Sequence, residues 1–352
     1  MVRVLKWLIF GLIGIVVVGY LGLRFMPEGA YQPHELTDAE RVFVAQIDVP
    51  DFAPDWRWGE YESFDGIKLR WGQTGNAGTA KATLIYVPGY NGTIDAYAEQ
   101  FGMWAREGWH VVGLDMRGQG GSEGNPMGEK LPRLVKDGEV LNSRDIIGFV
   151  KSLGITQRPV VLVGSSYGGF ATTLAVLEDP TIADAYLSLV PAYRVKGPES
   201  MVKQTAWATR LGFGERYAPG QGVWTPFGTD FTPPAFCPTD NPRVFRQVRI
   251  QADDPEQRVG GATIGLIHDW VVLGEEIVSG ARGGLALPTT VVLAEGDALV
   301  ENGPPEAFCK ANAMCEMKTW TDTQHCLTLD HDPIVMRVLD EAEALLERIS
   351  SS

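Results

Sequence analysis

Apolar residues along this chain cluster in short, β-branched runs separated by longer stretches of helical period. Trp58–Phe64 and Ile67–Thr74 flank Asp65-Gly66, a pattern that predicts a β-hairpin. From there strands and helices alternate. Thr83–Val87, Trp109–Leu114, Val160–Val163, Ala185–Val190, Thr289–Ala294 and Glu316–Trp320 read as strands. Ile94–Arg106, Arg133–Ser152, Phe170–Glu178, Pro305–Ala313 and Pro333–Ile349 read as helices. This alternation predicts a mostly parallel, doubly wound sheet, with antiparallel pairing only in the opening hairpin. Residues 192–287 break the rhythm. They hold Trp207, Phe213, Trp224, Phe227, Phe231, Phe236 and Trp270 between Pro-rich and Gly-rich stretches. We read them as a helical cap inserted over the C-terminal edge of the sheet, where such sheets bind ligands. Most of these aromatics then form the cap's own core, and Trp207, Trp224 and Phe227 are the candidates to line an apolar pocket.

The ends of the chain add a second organisation. Residues 1–26 form an N-terminal segment, 27–55 a tether over the domain surface, and 56–191 with 288–352 the sheet domain. Trp7 to Leu23 carries no charge and is flanked by Arg3, Lys6 and Arg24. As a helix it would span about 25 Å at 1.5 Å per residue, enough for a thin bilayer. The expectation is an uncleaved signal-anchor through residues 7–23, with the positive flank in the cytoplasm and the globular domain on the periplasmic or extracytoplasmic side. The rival is a signal peptide cleaved to release a secreted domain, though no Ala-x-Ala site follows.

The formal net charge is −14, and the first 26 residues contribute three basic residues and no acid, so the rest is more acidic still. That argues against nucleic acid as a partner, because phosphate binding needs a basic surface. The four cysteines, Cys237, Cys309, Cys315 and Cys326, allow two disulfides in an oxidising compartment or four buried thiols in a reducing one. If disulfides form, Cys309 and Cys315 are the nearer pair in sequence. No Cys-x-x-Cys occurs, so the sequence calls for no metal, and none of its motifs calls for a cofactor.

Candidate chemistry begins at Val160-Val161-Leu162-Val163-Gly164-Ser165-Ser166-Tyr167-Gly168-Gly169. An apolar strand enters Gly-x-Ser-x-Gly and leaves as a helix, the context of a nucleophile elbow with Ser166 at its apex. Gly120-Gly121-Ser122-Glu123-Gly124 fits the same pentapeptide. Ser122, however, is followed by Asn125-Pro126, a loop, and reads as a turn residue. A seryl hydroxyl needs a base, and the base needs an orienting acid. Of five histidines, His325 follows a strand end in the required chain order, ahead of His331, which opens the last helix. Asp297 lies in the exit loop of Thr289–Ala294, with Glu295 in reserve. An oxyanion hole would combine the N–H of Tyr167 with that of Tyr90 in Pro88-Gly89-Tyr90-Asn91-Gly92.

These motifs resemble the α/β-hydrolase superfamily, and within it the lysophospholipase and monoacylglycerol lipase-like group of serine aminopeptidase S33 type. The resemblance runs from about Phe64 to the C-terminus. It is carried by Leu114-Asp115-Met116-Arg117-Gly118-Gln119-Gly120-Gly121-Ser122, the Ser166 elbow, Gly260-Gly261-Ala262-Thr263-Ile264-Gly265, the Asp297 loop and the segment from His325. It implies an α/β-hydrolase fold and a metal-free hydrolysis of carboxylic esters such as monoacylglycerols or lysophospholipids. It also implies that Asp115–Ser122 is a structural turn. Two positions depart from the group's pattern: Pro88-Gly89 stands where His-Gly is usual, and Cys326 follows His325 in place of an acidic or apolar residue. The expected protein is a membrane-anchored serine ester hydrolase for a small lipid-derived ester. The alternatives are a peptidase or amidase on the same residues, and a catalytically silent binding scaffold.

Overall fold

The structure, a computed structural model, describes residues 18–19, 21–22, 32–124, 138–155, 159–197, 200–226, 236–238 and 240–351. The order is α1 (Asp38–Val44), β1 (Arg57–Glu62), β2 (Lys68–Thr74), β3 (Thr83–Val87), α2 (Ala98–Arg106), β4 (His110–Leu114), α3 (Gly138–Ser152), β5 (Val160–Ser165), α4 (Tyr167–Glu178) and β6 (Ala185–Leu189). Then follow α5 (Ser200–Arg210), α6 (Arg246–Asp253), α7 (Ile264–Val278), β7 (Thr289–Ala294), α8 (Gly303–Lys310), β8 (Cys315–Trp320) and α9 (Asp332–Ser350). The strands form one eight-stranded sheet in the order β1-β2-β4-β3-β5-β6-β7-β8, which is the α/β-hydrolase architecture. Every residue of β3, β4, β5, β6 and β7 is buried, as continuous apolar runs require when helices cover both faces. One core layer packs Phe149, Phe170 and Tyr167 against one face, and the other packs Phe101, Trp104 and Val338 against the opposite face.

Antiparallel pairing extends one strand further than the sequence suggests. β1 pairs antiparallel with β2 as expected, but β2 also pairs antiparallel with β4. The hairpin therefore joins the parallel sheet as a unit, through the backbone of Trp71–Thr74. Alternating exposure in β1 and β2 marks them as the half-solvated edge. From β3 the chain steps one way to β4 and the other way to β5, so the sheet's topological switch point lies between β3 and β5. Val87 and Gly164 are paired there, and both strands end into loops at that point.

The Asp115–Ser122 turn is structural. Asp115 accepts from Ile94 N–H at 2.8 Å, Gly121 N–H at 3.0 Å and Arg70 Nε at 2.7 Å. Ser122 Oγ donates to Asp115 O at 2.7 Å and accepts from Arg70 N–H at 2.8 Å. Arg117 is buried and forks onto Asp145 at 2.8 Å through both Nε and Nη2. Its other edge holds Asp65 of the hairpin turn at 2.7 and 3.0 Å. Arg117→Ala leaves the Asp145 carboxylate buried without its cation. The expected cost is about 3–5 kcal/mol, read as a lower urea midpoint at unchanged slope.

The segment expected to be a tether contains α1, which is begun by a capping box between Thr37 and Glu40. It does not simply lie over the surface. Val44, Leu36, Phe43 and Ile47 pack with Trp224 and Val248, residues from the stretch between β6 and β7. Arg249 donates to Val44 O at 2.8 Å and Arg258 to His34 O at 3.1 Å. The cysteines are paired as Cys309–Cys315 and Cys237–Cys326, with six and 89 residues of separation. Residues 7–17, 20 and 23 of the expected anchor lie outside the described residues. No helix among the described residues is long and apolar enough to cross a membrane.

Candidate active site

Ser166 occupies the turn between β5 and α4 with φ 55° and ψ −119°, a left-handed conformation that costs a non-glycine residue of order 1–3 kcal/mol. Its neighbours impose it. Ser166 N–H donates to Leu189 O at 2.9 Å, and its carbonyl accepts from Phe170 and Ala192 N–H groups at 3.0 and 3.1 Å. The two glycines of the pentapeptide permit the packing. A Cβ at Gly164 would meet Thr172 Oγ1 at 2.1 Å, and one at Gly168 would meet Pro88 O at 2.2 Å. α4 can lie this close to β3 and β5 only because both positions lack side chains. Gly89, in the loop after β3, sits against the serine: a Cβ there would lie 3.2 Å from Ser166 Cβ and 3.6 Å from Oγ.

The loops after β7 and β8 bring the other two residues to Ser166. His325 Nε2 is 2.8 Å from Ser166 Oγ, and His325 Nδ1 is 2.6 Å from Asp297 Oδ2. The other Asp297 oxygen, Oδ1, accepts from Leu299 and Val300 N–H groups at 2.8 and 2.9 Å. Burial disfavours the Asp297 carboxylate. The His325 hydrogen bond and charge, with those two N–H groups, outweigh burial and hold its pKa below the ordinary aspartate value. A charged Asp297 puts the imidazole proton on Nδ1 and leaves Nε2 to accept from the seryl hydroxyl. A hydroxyl, an imidazole and a carboxylate in this series can move a proton off the oxygen while the ring stays in one tautomer.

Tyr90 and Tyr167 flank the serine from the loop after β3 and from the first position of α4. Their rings meet edge to face at 5.8 Å, and the Tyr90 hydroxyl donates to Gly260 O at 2.8 Å. The N-terminus of α4, with its partial positive charge, opens at Tyr167. The remaining histidines lie elsewhere. His331 is exposed beside Asp240, His110 is buried between Thr83 and Gln73, His34 pairs with Glu40, and His268 is half-buried on α7. Glu295 is exposed.

The family's sequence pattern, that of the serine aminopeptidase S33 hydrolases, matches residues 78–332. The chain belongs to this S33 family. Among curated relatives, lysophospholipase L2 of Escherichia coli K12 is 28% identical over 242 residues, covering 64% of this chain and 67% of the relative. Solved structures share the fold at lower identity. A soluble variant of monoglyceride lipase from Saccharomyces cerevisiae, in complex with a substrate analogue, superposes with a TM-score of 0.63 at 15% identity, covering 86% of this chain and 97% of that one. A thermophilic esterase from Thermogutta terrifontis gives 0.57 at 19% identity, covering 82% and 99%.

Above Ser166 lies a cavity of about 770 Å³, walled by the stretch between β6 and β7. α5 lines it with Met201, Gln204, Thr205 and Ala208, and α7 with Ile264, Ile267, Trp270 and Val271. The spacings are i, i+3, i+4, i+7 on α5 and i, i+3, i+6, i+7 on α7, each one face of a helix and a signal present in the sequence. The aromatic expectation fares differently. Trp207 is on another face of α5 and is 64% exposed. Trp224 is buried but lies under α1, with its indole N–H on Gln251 Oε1 at 2.6 Å. Neither lines the cavity, and Phe227 lies outside the described residues. Trp270 takes the place assigned to them, packing on Tyr167 at 4.9 Å and Phe170 at 6.1 Å. Arg194 and Lys196 also line the cavity and were not singled out in the sequence.

Proposed function

We propose that the protein is a serine hydrolase of lipid-derived carboxylic esters. Ser166 attacks the ester carbonyl, His325 takes and returns its proton, and Asp297 fixes the His325 tautomer. Tyr90 and Tyr167 N–H groups stabilise the oxyanion, and water then releases the fatty acid. The observation carrying this reading is the continuous hydrogen-bonded series from Ser166 through His325 to Asp297 at the floor of a large apolar cavity. The lysophospholipase and monoglyceride lipase names among its relatives support the substrate class. The inserted residues 192–287 serve as the cap.

Between those two lipid classes, the lining favours the anionic one. In a chain with 44 acidic and 30 basic residues, the charged groups among the described lining residues are Arg194 and Lys196, with no carboxylate. Arg194 has carboxylate partners in the exposed Glu275 at 3.4 Å and in Glu301 at 3.8 Å, but two cations beside an apolar cavity suit a phosphate headgroup joined to an acyl chain. An aminopeptidase would need the reverse, an acidic group for the substrate's ammonium. Arg194→Met with Lys196→Met should raise KM for a lysophospholipid by about tenfold, the worth of a charge-assisted hydrogen bond, and leave monoacylglycerol turnover unchanged. Equal losses on both substrates would count against headgroup recognition, because Lys196 also donates to Asp297 O at 2.6 Å.

The chemistry itself is tested by a fluorophosphonate probe, which should label Ser166 in folded protein and leave Ser122 unlabelled. A preference for acetyl esters with no long-chain turnover would defeat the lipid reading. An N-terminal signal-anchor holding the domain outside the cytoplasm completes the proposal, supported by the two disulfides, which persist in oxidising compartments. Intact-mass analysis of membrane-extracted protein decides whether residues 7–23 are retained.

A further inference from the structure

The loop that carries His325 is fastened to the cap at its most sensitive point. His325 N–H donates to the carbonyl of Phe236 at 3.0 Å, and the Phe236 ring stands edge-on to the imidazole at 5.9 Å. The next residue in each segment is a cysteine, and the two form the Cys237–Cys326 disulfide, with Cα atoms 5.0 Å apart. Further along the same two segments, the buried Arg243 donates to Asp330 O at 2.6 Å and to Asp332 Oδ1 at 2.5 Å. The sheet domain grips the loop on either side of this point, where Arg337 forks onto Asp322 at 2.8 and 2.7 Å and where Tyr86 and Gln100 bond Thr328 at 2.8 and 2.7 Å. Between those two holds the His325 N–H is bonded to the cap, while its carbonyl accepts from Leu327 N–H of the same loop at 3.0 Å.

We propose that the Cys237–Cys326 disulfide is a positioning element for the general base. It locks Phe236 against His325, so that the seating of the cap sets the line from Nε2 to Ser166 Oγ. The other disulfide provides a contrast within the molecule: Cys309–Cys315 joins α8 to the start of β8, and neither of its residues lines the cavity. The proposal rests on His325 acting as the base, and the two can fail separately. An active His325→Ala enzyme defeats the assignment of the base. A fully active enzyme without the Cys237–Cys326 bond defeats only the positioning role.

The test compares full-length Cys237→Ser/Cys326→Ser with Cys309→Ser/Cys315→Ser on one ester, below both melting temperatures. A misaligned base costs turnover more than binding. The first variant should lose at least about tenfold in kcat with KM nearly unchanged, and its rate of fluorophosphonate labelling should fall in step. The second should melt earlier but keep its kcat. Wild-type enzyme treated with dithiothreitol gives an independent reading. Two electrons pass from the dithiol to the bond, each cysteine sulfur takes a proton, and dithiothreitol leaves as its cyclic disulfide. The loss of kcat should follow the fraction of Cys237 found alkylated by mass spectrometry, reverse on reoxidation, and persist in the Cys309→Ser/Cys315→Ser background. Wild-type kcat in the first variant overturns the proposal. So does unchanged kcat in wild-type enzyme with Cys237 fully alkylatable, and that result decides the matter if the first variant does not fold.

Discussion

Ser166→Ala should lower kcat for a soluble ester by about 10⁶-fold, the scale seen when the nucleophile of a serine–histidine–aspartate unit is removed. The fold should survive. The left-handed backbone at position 166 is imposed by bonds from its own N–H and carbonyl to Leu189, Phe170 and Ala192, and by the absent side chains at 164 and 168. None of these involves the seryl oxygen, whose partner is His325. Alanine keeps the Cβ and loses only that oxygen. Adding His325→Ala to the variant should cost almost nothing more, because the two groups act as a unit. Ser122→Ala is the internal comparison. It removes a hydroxyl that serves Asp115 and Arg70, so it should cost about 1 kcal/mol of stability and leave kcat unchanged. Substantial ester turnover by the Ser166→Ala protein, in a preparation free of wild-type enzyme, would remove the basis for the proposed mechanism.

The difference between Ser166 and Ser122 was legible because it lies in local sequence. A β-branched strand and a glycine-flanked helix start surround one and not the other, and the same local logic placed five buried strands close to their observed bounds. Asp297 and His325 were legible by another route, since strand exits in this fold converge on one edge and chain order then assigns them. What local pattern cannot carry is pairing across long separations. The antiparallel β2–β4 contact depends on where a whole hairpin docks. Trp224 looked like a pocket residue because nothing nearby shows that α1 will cover it. Cys237 and Cys326 are 89 residues apart, and their bond depends on the cap's path. The sequence marks Cys326 only as an oddity beside His325, and the disulfide supplies its physical reason.

Asp297→Asn should lower kcat by about 10⁴-fold with little change in KM, through the tautomer of His325 and not through lost binding. The amide has one oxygen and one NH₂ group. Oδ1 of the native residue accepts from Leu299 and Val300 N–H groups, so the amide oxygen must stay on that side. The NH₂ group then faces His325 Nδ1. It can only donate there, so Nδ1 must become the acceptor and the ring proton moves to Nε2, where it points at Ser166 Oγ. The hydroxyl then meets a donor in place of a base, although every heavy atom keeps its position. An Asp297→Ala variant, which imposes no tautomer, separates this effect from simple loss of charge, and it should be the more active of the two at alkaline pH. Acid titration of stability offers a second check. Because the folded pKa of Asp297 is lowered, its stabilising contribution is complete above the unfolded value of about 4 and is lost as pH falls through the lower folded value. The stability advantage of wild type over Asp297→Asn should therefore shrink as pH falls below about 4. An advantage that did not shrink on acidification below about pH 4 would mean that Asp297 is not held as a carboxylate, and the tautomer argument would fail with it.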